Sequence, residues 1–425
     1  MWSEFRVKMD VFCFYPYRKA GAGMEFSRDE IMQFIREEDI KFIRLAFCDV
    51  FGKRKNISIV AEELPRAFAH GIAFDASSIA GFGDEAQSDL FLHPEPETLV
   101  VLPWRPEHGR VVRMISGVSY PDGRQFEGDT RALLKDAVAR AKAKGYTFRF
   151  GAEQEFYLFK QDDAGNPTKE PCDRAGYMDI APEDRGENVR REVCLTLEQM
   201  GVRPESSHHE EGPGQNEIDC RYADAITAAD HAMTLQTVVK TVAHRNGYSA
   251  DFSAKPLEGA PGNGLHINLS VQPCGEEAFA AMIAGILDHA AEMTAFLNPT
   301  ENSYLRLGKN KAPRYLTWSH ENRSQLIRIP AAEGEYRRME LRSPDPGANP
   351  YLAFALMIDA ALDGIERRLQ LSPQTDLNLY TADVAVLAKY RTLPASLAEA
   401  RGLAAESAFI RERLPAAIVN AYCRP

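Results

Sequence analysis

FRFGAEQEFYLF, residues 148–159, alternates between two kinds of side chain along its length. Successive side chains of a β-strand point to opposite faces, so Glu153, Glu155 and Tyr157 share one face while the other is mainly apolar. Two carboxylates placed in this way lie about 7 Å apart and repel each other unless a cation lies beside them. A solvated strand face shows the same pattern, so this stretch alone indicates only a strand with one acidic face.

A second acidic segment is HHEEGPGQNE, residues 208–217. It indicates a strand, a Gly-Pro-Gly loop and a return strand that starts near Glu217. Glu210 and Glu217 could then converge on one point across the loop. In isolation the segment is equally typical of an acidic turn.

Two further strands are predicted to carry a polar face. In GNGLHINLS, residues 262–270, a glycine-rich loop leads into a strand. The polar face of that strand holds His266, Asn268 and Ser270. In RMELR, residues 338–342, the shared face holds Arg338, Glu340 and Arg342. Taken alone, the first segment is also typical of a structural histidine, and the second of a surface ladder of ion pairs.

Together, the four segments predict a sheet whose polar face forms a charged site. Carboxylates with one imidazole suit Mg²⁺ or Mn²⁺ better than Zn²⁺. Nearby basic residues would supply guanidinium groups for phosphate or carboxylate oxygens; they are Arg306, Arg323, Arg328 and Arg342. Metal ions held by carboxylates and facing arginines are the arrangement that phosphoryl transfer requires, because its barrier falls with charge neutralisation.

The composition is that of a globular protein with excess negative charge. The 425 residues include 50 Lys and Arg against 61 Asp and Glu, which gives a net charge of -11. This balance argues against general binding of nucleic acid or of an anionic membrane, since both attract a positive surface. No run approaches the roughly 18 apolar residues that a membrane span needs.

The seven cysteines are scattered and never form a C-x-x-C pair; they are Cys13, Cys48, Cys172, Cys194, Cys220, Cys274 and Cys423. We therefore expect reduced thiols and a cytoplasmic protein. Residues 1–26 form an N-terminal extension that does not resemble a signal peptide. The globular pattern begins after Met24, which is an alternative start.

The order of elements predicts an α+β protein with two domains. A small mixed domain spans residues 27–125. It opens with the capping-box spacing Ser27 to Glu30 and closes at the turn-rich residues 120–124. The larger domain, residues 126–425, begins with Asp129 as a helix N-cap and combines long helices with a substantial antiparallel sheet.

Seven motifs resemble those of the bacterial type I glutamine synthetases, in the same order and over nearly all of residues 27–425. They are FDASSIAGF (74–82), GAEQEFYLF (151–159), HHEEGPGQNEID (208–219), GNGLHINLS (262–270), NPTENSYLRL (298–307), ENRSQLIRIP (321–330) and RMELRSPDPGANPYLAF (338–354). The resemblance implies an N-terminal β-grasp domain and a catalytic domain with a curved antiparallel sheet. It also implies six-membered rings, usually stacked as a dodecamer, with active sites shared between neighbouring subunits.

The resemblance further implies a role for each matching residue. One divalent metal ion would be bound by Glu155, Glu210 and Glu217. A second, beside the ATP phosphates, would be bound by Glu153, His266 and Glu340. The transferring phosphoryl group would face Arg323 and Arg328. Glutamate would be bound by Arg306, Arg342 and the loop at Gly262, and the nucleotide by Asn268 and Ser270. Ammonium would be bound by Asp75, Tyr177 and Ser78.

The activity so implied is ATP-dependent formation of glutamine from glutamate and ammonia through a γ-glutamyl phosphate. One departure from the family pattern bears on the amine: Lys311 stands where relatives carry a glutamate in a mobile flap. Asp75, or an acidic neighbour such as Glu301 or Glu321, would then assist deprotonation. The alternatives are a γ-glutamyl ligase for a polyamine or another primary amine, and a regulatory relative without turnover.

Smaller departures are Ala76, Pro261 and Asn263, which replace a glycine, an asparagine and a serine of the family motifs. Tyr380 aligns roughly with a tyrosine that some relatives adenylylate, but the residues around it differ. The chain also ends after Tyr422 without a clear match to the family's segment that locks two rings together.

Overall fold

The chain forms two units, each with its own sheet. Our computed structural model describes residues 27–83, 86–105, 108–273, 275–332, 334 and 337–424. The predicted N-terminal extension, with Cys13, and also Cys274 lie outside this part of the chain. One unit comprises Met1–Ala132 with Cys194–Arg203, and the other comprises Leu133–Val193 with Pro204–Pro425. The predicted domain boundary at residues 125–126 stays a prediction, a few residues from this division.

The N-terminal unit contains a mixed sheet. Its elements are α1 (Arg28–Glu37), β1 (Ile40–Cys48), β2 (Arg54–Val60), α2 (Leu64–His70), β3 (Ile72–Asp75), β4 (Asp89–Pro94), β5 (Val100–Val101) and β6 (Arg110–Ser119). The strand order is β2-β1-β6-β4-β3, and β5 also pairs with β6. Strands β1 and β6 are parallel and the other pairs are antiparallel.

The local signals read from this part of the sequence are largely confirmed. Ser27 and Glu30 form both hydrogen bonds of a capping box at the start of α1. Asp129 accepts the backbone N–H groups of Arg131 and Ala132, as an N-cap residue does. Strand β5 comprises only two residues, because a 3₁₀ turn at Pro96–Thr98 precedes it.

The remainder of the chain carries long helices around a second, larger sheet. Its strands are β7 (Thr147–Gln161), β8 (Pro167–Pro171), β9 (Pro204–His209), β10 (Gln215–Cys220), β11 (Ala223–Asp224), β12 (Tyr248–Asp251), β13 (Leu265–Gln272), β14 (Trp318–His320), β15 (Ile327–Ile329) and β16 (Met339–Leu341). Its helices are α3 (Thr130–Ala143), α4 (Glu187–Gln199), α5 (Ala225–Arg245), α6 (Glu276–Leu297), α7 (Glu301–Arg306), α8 (Pro350–Glu366), α9 (Val384–Leu387), α10 (Leu397–Glu406), α11 (Ala408–Arg413) and α12 (Ala416–Cys423). The predicted α+β class is confirmed.

Strand β7 organises the larger sheet. The main strand order is β14-β15-β16-β13-β7-β10-β9, and β8, β11 and β12 also pair with β7. All pairs are antiparallel except β14 with β15. The apolar face of β7 is buried, and Phe150 stacks on Phe354 of α8 with ring centroids 4.2 Å apart. Since this face is fixed by packing, the acidic face of β7 points to the other side of the sheet.

Helix α6 is both long and apolar. By length and composition it could cross a membrane, with a mean hydropathy of 1.3, although the sequence showed no unbroken apolar run of that length. In the structure, 78% of this window is buried within the protein. A Cβ atom on Gly285 would lie 2.2 Å from the Ala360 carbonyl oxygen, so glycine permits the close crossing with α8. This is the environment of a core helix.

Candidate active site

The polar side chains predicted from four sequence segments lie on adjacent strands of the larger sheet. Glu153 of β7 is opposite His266 of β13, and Glu155 of β7 is opposite Glu217 of β10. Glu340 of β16 is opposite Asn268 of β13. Side chains directly opposite on antiparallel strands are close neighbours. Strand register therefore brings together residues that are up to 187 positions apart, from Glu153 to Glu340.

Glu153, His266 and Glu340 form one group of potential metal ligands. One donor atom from each lies within 4.8 Å of the others. His266 Nδ1 is 3.3 Å from Glu153 Oε2 and 3.6 Å from Glu340 Oε1. His266 and Glu340 are buried. The family resemblance implied the same three residues as one ligand set.

The other predicted ligands form two overlapping groups. Glu155 and Glu217 lie with His266 in one group, and Glu210 and Glu217 lie with His208 in another. The structure thus connects Glu155 to Glu210 through Glu217, which belongs to both groups. His208 Nε2 is 3.1 Å from Glu210 Oε1, so the histidine takes part in this arrangement.

The electrostatics of these carboxylates indicate unbalanced negative charge. Burial and the neighbouring Glu155, Asp219 and Glu153 carboxylates raise the pKa of Glu217 well above its ordinary value. Burial and the Glu153 charge raise the pKa of Asp219 to about 6. A divalent cation among these side chains would offset both the cost of burying their negative charges and the repulsion between them. The donor set therefore fits Mg²⁺ or Mn²⁺.

Glu340 differs because two arginines flank it. Arg328 Nη1 lies 2.6 Å from Glu340 Oε2, and Arg342 Nε lies 3.1 Å from Glu340 Oε1. Burial opposes ionisation of Glu340, but the Arg342, His266 and Arg328 charges outweigh it and lower its pKa to about 2. Glu340 is thus ionised throughout the physiological range.

Glu155 is held in place by a close approach of the backbone. Its Oε2 atom accepts hydrogen bonds from the Gly264 N–H and the Gln215 side-chain amide, both at 3.0 Å. A Cβ atom on Gly264 would lie 2.7 Å from His266 Nε2 and 3.1 Å from Glu155 Oε1. Only glycine therefore allows this N–H group to reach the carboxylate.

The predicted substrate arginines have different surroundings. Arg306 is buried, and its terminal nitrogens donate to the backbone carbonyls of Ser343, Pro344 and Arg342. Arg342 is likewise buried and bonds both Glu340 and the Arg323 carbonyl. In this structure the Arg306 guanidinium donates hydrogen bonds to backbone carbonyls, and its predicted contact with a substrate carboxylate stays a prediction. The Arg323 side chain is exposed.

The predicted nucleotide and glutamate positions lie close by. Asn268 donates to Glu153 Oε1 at 2.7 Å and accepts from Arg338 Nε at 3.2 Å. Ser270 is half-buried, two residues farther along β13. The Gly262 carbonyl accepts from Gln215 at 3.2 Å, which fixes the loop before β13.

Three residues were predicted to bind ammonium. Tyr177 is exposed and packs edge-on against the His208 ring, with centroids 5.3 Å apart. Asp75 and Ser78 are exposed residues of the N-terminal unit. Asp75 Oδ1 accepts from the Ser77 hydroxyl at 2.7 Å and its N–H at 2.9 Å, which lowers the pKa of the carboxyl. Their predicted role in a neighbouring subunit's site stays a prediction.

The departures from the family pattern are accommodated locally. The Tyr157 hydroxyl donates to the Pro261 carbonyl, and buried Asn263 donates to the carbonyls of Asp251 and Ser253. Ala76 is buried and donates its N–H to the Ser88 carbonyl. Glu301 and Glu321, considered as substitutes for the flap glutamate, are both exposed.

Sequence reasoning left out three residues of the cluster: His208, Asp219 and Gln215. Asp219 lies two positions after Glu217 on β10, so strand alternation places both on one face. His208 of β9 is opposite Glu217 in the strand register, whereas Glu210 follows the end of β9. Gln215 lies two positions before Glu217 on β10 and carried the same alternation signal, but its hydrogen bond to Glu155 also depends on the turn at residues 210–215.

The chain is similar to known proteins over most of its length. The family model described as the glutamine synthetase catalytic domain matches residues 127–425, and the one for its β-grasp domain matches residues 39–121. A glutamine synthetase of Clostridium saccharobutylicum is 45% identical over 370 residues, covering 84% of each chain. One from Methanosarcina mazei is 43% identical over 412 residues, covering 93% of this chain and 92% of that one.

Solved structures of GmaS are also similar. The chain superposes on a GmaS/ADP complex with a TM-score of 0.83 and 31% identity, over 92% of this chain and 93% of that one. Ligand-free GmaS gives the same TM-score at 30% identity.

Proposed function

This chain belongs to the glutamine synthetase family, and we propose that it is a glutamate–ammonia ligase that couples ATP hydrolysis to glutamine formation. The observation that carries the proposal is the group Glu153, His266 and Glu340 with Arg328 and Arg342 on Glu340. A set of cation ligands in direct contact with arginines suits the movement of a phosphoryl group between two anionic molecules.

The metal ligands proposed are the two sets that the family resemblance implies, with His208 beside Glu210. A bound divalent cation would neutralise the phosphate charge that opposes attack by a carboxylate. The residues of this chain set the geometry for it: Gly264 and Gln215 orient Glu155, and Asn268 orients Glu153. Arg328 and the exposed Arg323 would face the transferring γ-phosphoryl group.

In the first proposed step, the γ-carboxylate of glutamate attacks the γ-phosphorus of ATP, and ADP leaves. The γ-glutamyl phosphate formed has phosphate in place of a poor leaving group. Arg342 and the Gly262 loop would hold glutamate for this attack. Arg306 would contribute after a change in the backbone bonds that it makes in this structure.

In the second proposed step, ammonia attacks the acyl carbon and phosphate leaves. Ammonium would first lose a proton beside Asp75, whose pKa is lowered by Ser77 and which therefore stays anionic. Tyr177 and Ser78 would line the same pocket. Because Asp75 and Ser78 belong to the β-grasp domain, we propose that a neighbouring subunit supplies them, in six-membered rings stacked as a dodecamer in the cytoplasm.

Phosphate release tests this proposal most directly. Purified protein is incubated with Mg²⁺, ATP and glutamate, together with ammonium, putrescine, ethanolamine or no amine, and the γ-glutamyl product is identified by mass spectrometry. We expect phosphate and glutamine in equal amounts with ammonium. A strong preference for an organic amine would instead establish a γ-glutamyl–amine ligase, and nucleotide binding without turnover would establish a regulatory relative.

A further inference from the structure

Lys311 lies in a tight turn and has a backbone conformation that residues other than glycine rarely adopt. The turn is closed by hydrogen bonds from Gly308 N–H to the Ala312 carbonyl and from Ala312 N–H to the Lys309 carbonyl, both at 3.0 Å. Asn310 and Lys311 have φ angles of 46° and 66°, in the left-handed region. Residues other than glycine remain in this region only where surrounding contacts hold them.

Two contacts hold Lys311 at opposite ends of the residue. Its ammonium forms an ion pair with Glu211, the residue after Glu210. Its carbonyl accepts a hydrogen bond from the Tyr380 hydroxyl, which also lies 3.0 Å from the Arg323 carbonyl oxygen. The backbone and the charge of Lys311 are therefore fixed independently.

Both contacts lead back to the candidate active site. The Glu211 N–H donates to Glu210 Oε2 at 3.0 Å. The Arg342 guanidinium and the Tyr380 hydroxyl both donate to the Arg323 carbonyl oxygen, and Arg342 Nε donates to Glu340 at 3.1 Å. The turn is thus connected to Glu210 on one side and to Glu340 on the other.

The positive charge of Lys311 also acts electrostatically on Tyr177. Burial and the Glu210 carboxylate raise the pKa of the Tyr177 phenol, and Arg323 and Lys311 act against this rise. An unpaired ammonium at this place would repel a cationic amine that approaches Tyr177. Glu211 supplies the compensating negative charge, so the pair is neutral as a whole.

We propose that the Lys311–Glu211 ion pair, with the Tyr380 hydroxyl, holds the 308–312 turn beside the amine pocket and determines how readily ammonium enters it. Lys311 and Glu211 are then specificity-determining residues and Tyr380 is a positioning residue. The part concerning ammonium rests on the proposed function; the part concerning the turn does not.

Glu211→Gln tests the charge, because it keeps the backbone N–H on Glu210 and leaves Lys311 unpaired. We expect the apparent KM for ammonium to rise about fivefold with kcat changed less than twofold, since an exposed ion pair contributes up to about this factor. The exchange Glu211→Lys with Lys311→Glu restores the pair and should bring the KM back to the wild-type value or below. Glu170→Gln is the matched control, because Glu170 pairs with exposed Lys160 on another part of the sheet.

Hydrogen–deuterium exchange tests the turn without any assay of activity. Glu211→Gln and Tyr380→Phe should each speed hydrogen exchange of the Gly308 and Ala312 amides. The double variant Glu211→Lys with Lys311→Glu should exchange these amides as slowly as the wild type. Unchanged exchange in both single variants overturns the proposed role in holding the turn. Faster exchange with an unchanged ammonium KM overturns the specificity role. If the wild-type protein makes no glutamine, the proposed function fails while the exchange result still decides the turn.

Discussion

Arg328 Nη1 lies 2.6 Å from Glu340 Oε2, and both groups belong to the proposed catalytic machinery. The other oxygen of this carboxylate, Glu340 Oε1, accepts a hydrogen bond from Arg342 Nε at 3.1 Å. Glu340 therefore connects the cation-binding side of the site to its arginine side. A bound cation would share this carboxylate with the arginines, which keeps cation and phosphate-binding groups in contact.

Glu340→Gln should lower glutamine formation by at least about a thousandfold, because the variant loses a charged ligand and leaves Arg328 and Arg342 without a counter-ion. Steady-state kinetics at saturating Mg²⁺ would measure the loss. Glu276→Gln, which removes an exposed carboxylate paired with Arg337, should keep full activity. A Glu340→Gln enzyme of wild-type rate would contradict the proposed metal site.

Glu217→Gln should stabilise the protein when no divalent cation is present. Its carboxyl pKa is raised by burial and by four neighbouring carboxylates, so the charged form is costly in the folded state. Added Mg²⁺ or Mn²⁺ should raise the melting temperature of the wild type more than that of the variant, which keeps only the proposed ligand set Glu153, His266 and Glu340 intact. Thermal unfolding with and without cation measures both effects. A variant that responds to the cation as the wild type does would rule out Glu217 as a ligand.

Gly264→Ala should lower the free energy of unfolding by about 1–3 kcal/mol and weaken cation binding, because the new methyl group has no room beside His266, Arg306 and Glu155. Denaturant unfolding and cation titration would measure the two effects. Gly402→Ala is the control: it lies in α10 with nothing within 4 Å of the added Cβ atom. That change should be neutral or stabilise the protein by up to about 1 kcal/mol.

His289 should make stability depend on pH. The ring donates to Glu292 at 2.7 Å and to Asp363 at 2.8 Å and stacks on Phe409. Burial lowers the pKa of His289, but the two carboxylates outweigh it and raise the pKa above 6.5. Its contribution is therefore complete below pH 6.5 and is lost as pH rises through the higher folded-state value.

The test for this contribution is denaturant unfolding of wild type and His289→Gln between pH 5.5 and 8.5. The difference in unfolding free energy should be largest at the acidic end and should shrink as pH rises. His244→Gln, which removes an exposed imidazole at the end of α5, is the matched control. A difference that grows with pH for His289→Gln would contradict the assignment.

Much of the site was predictable because strand alternation is a local property. The period of two around residues 148–159 placed Glu153 and Glu155 on one face, and the structure pairs them with His266 and Glu217 on neighbouring strands. The contacts of Arg306 were not predictable in this way. Its three carbonyl partners lie 36 to 38 positions away and depend on how the chain folds back after β16.

By itself, the sequence determined the α+β class, the family and a set of candidate ligands, since a two-residue repeat and short motifs are set by neighbours along the chain. Only the tertiary structure decided the partner of Lys311. Glu211 is 100 positions away, and Tyr380 is 69 positions away on the other side. No local rule joins such residues, because an ion pair between two surface loops exists only after packing has fixed the position of both loops.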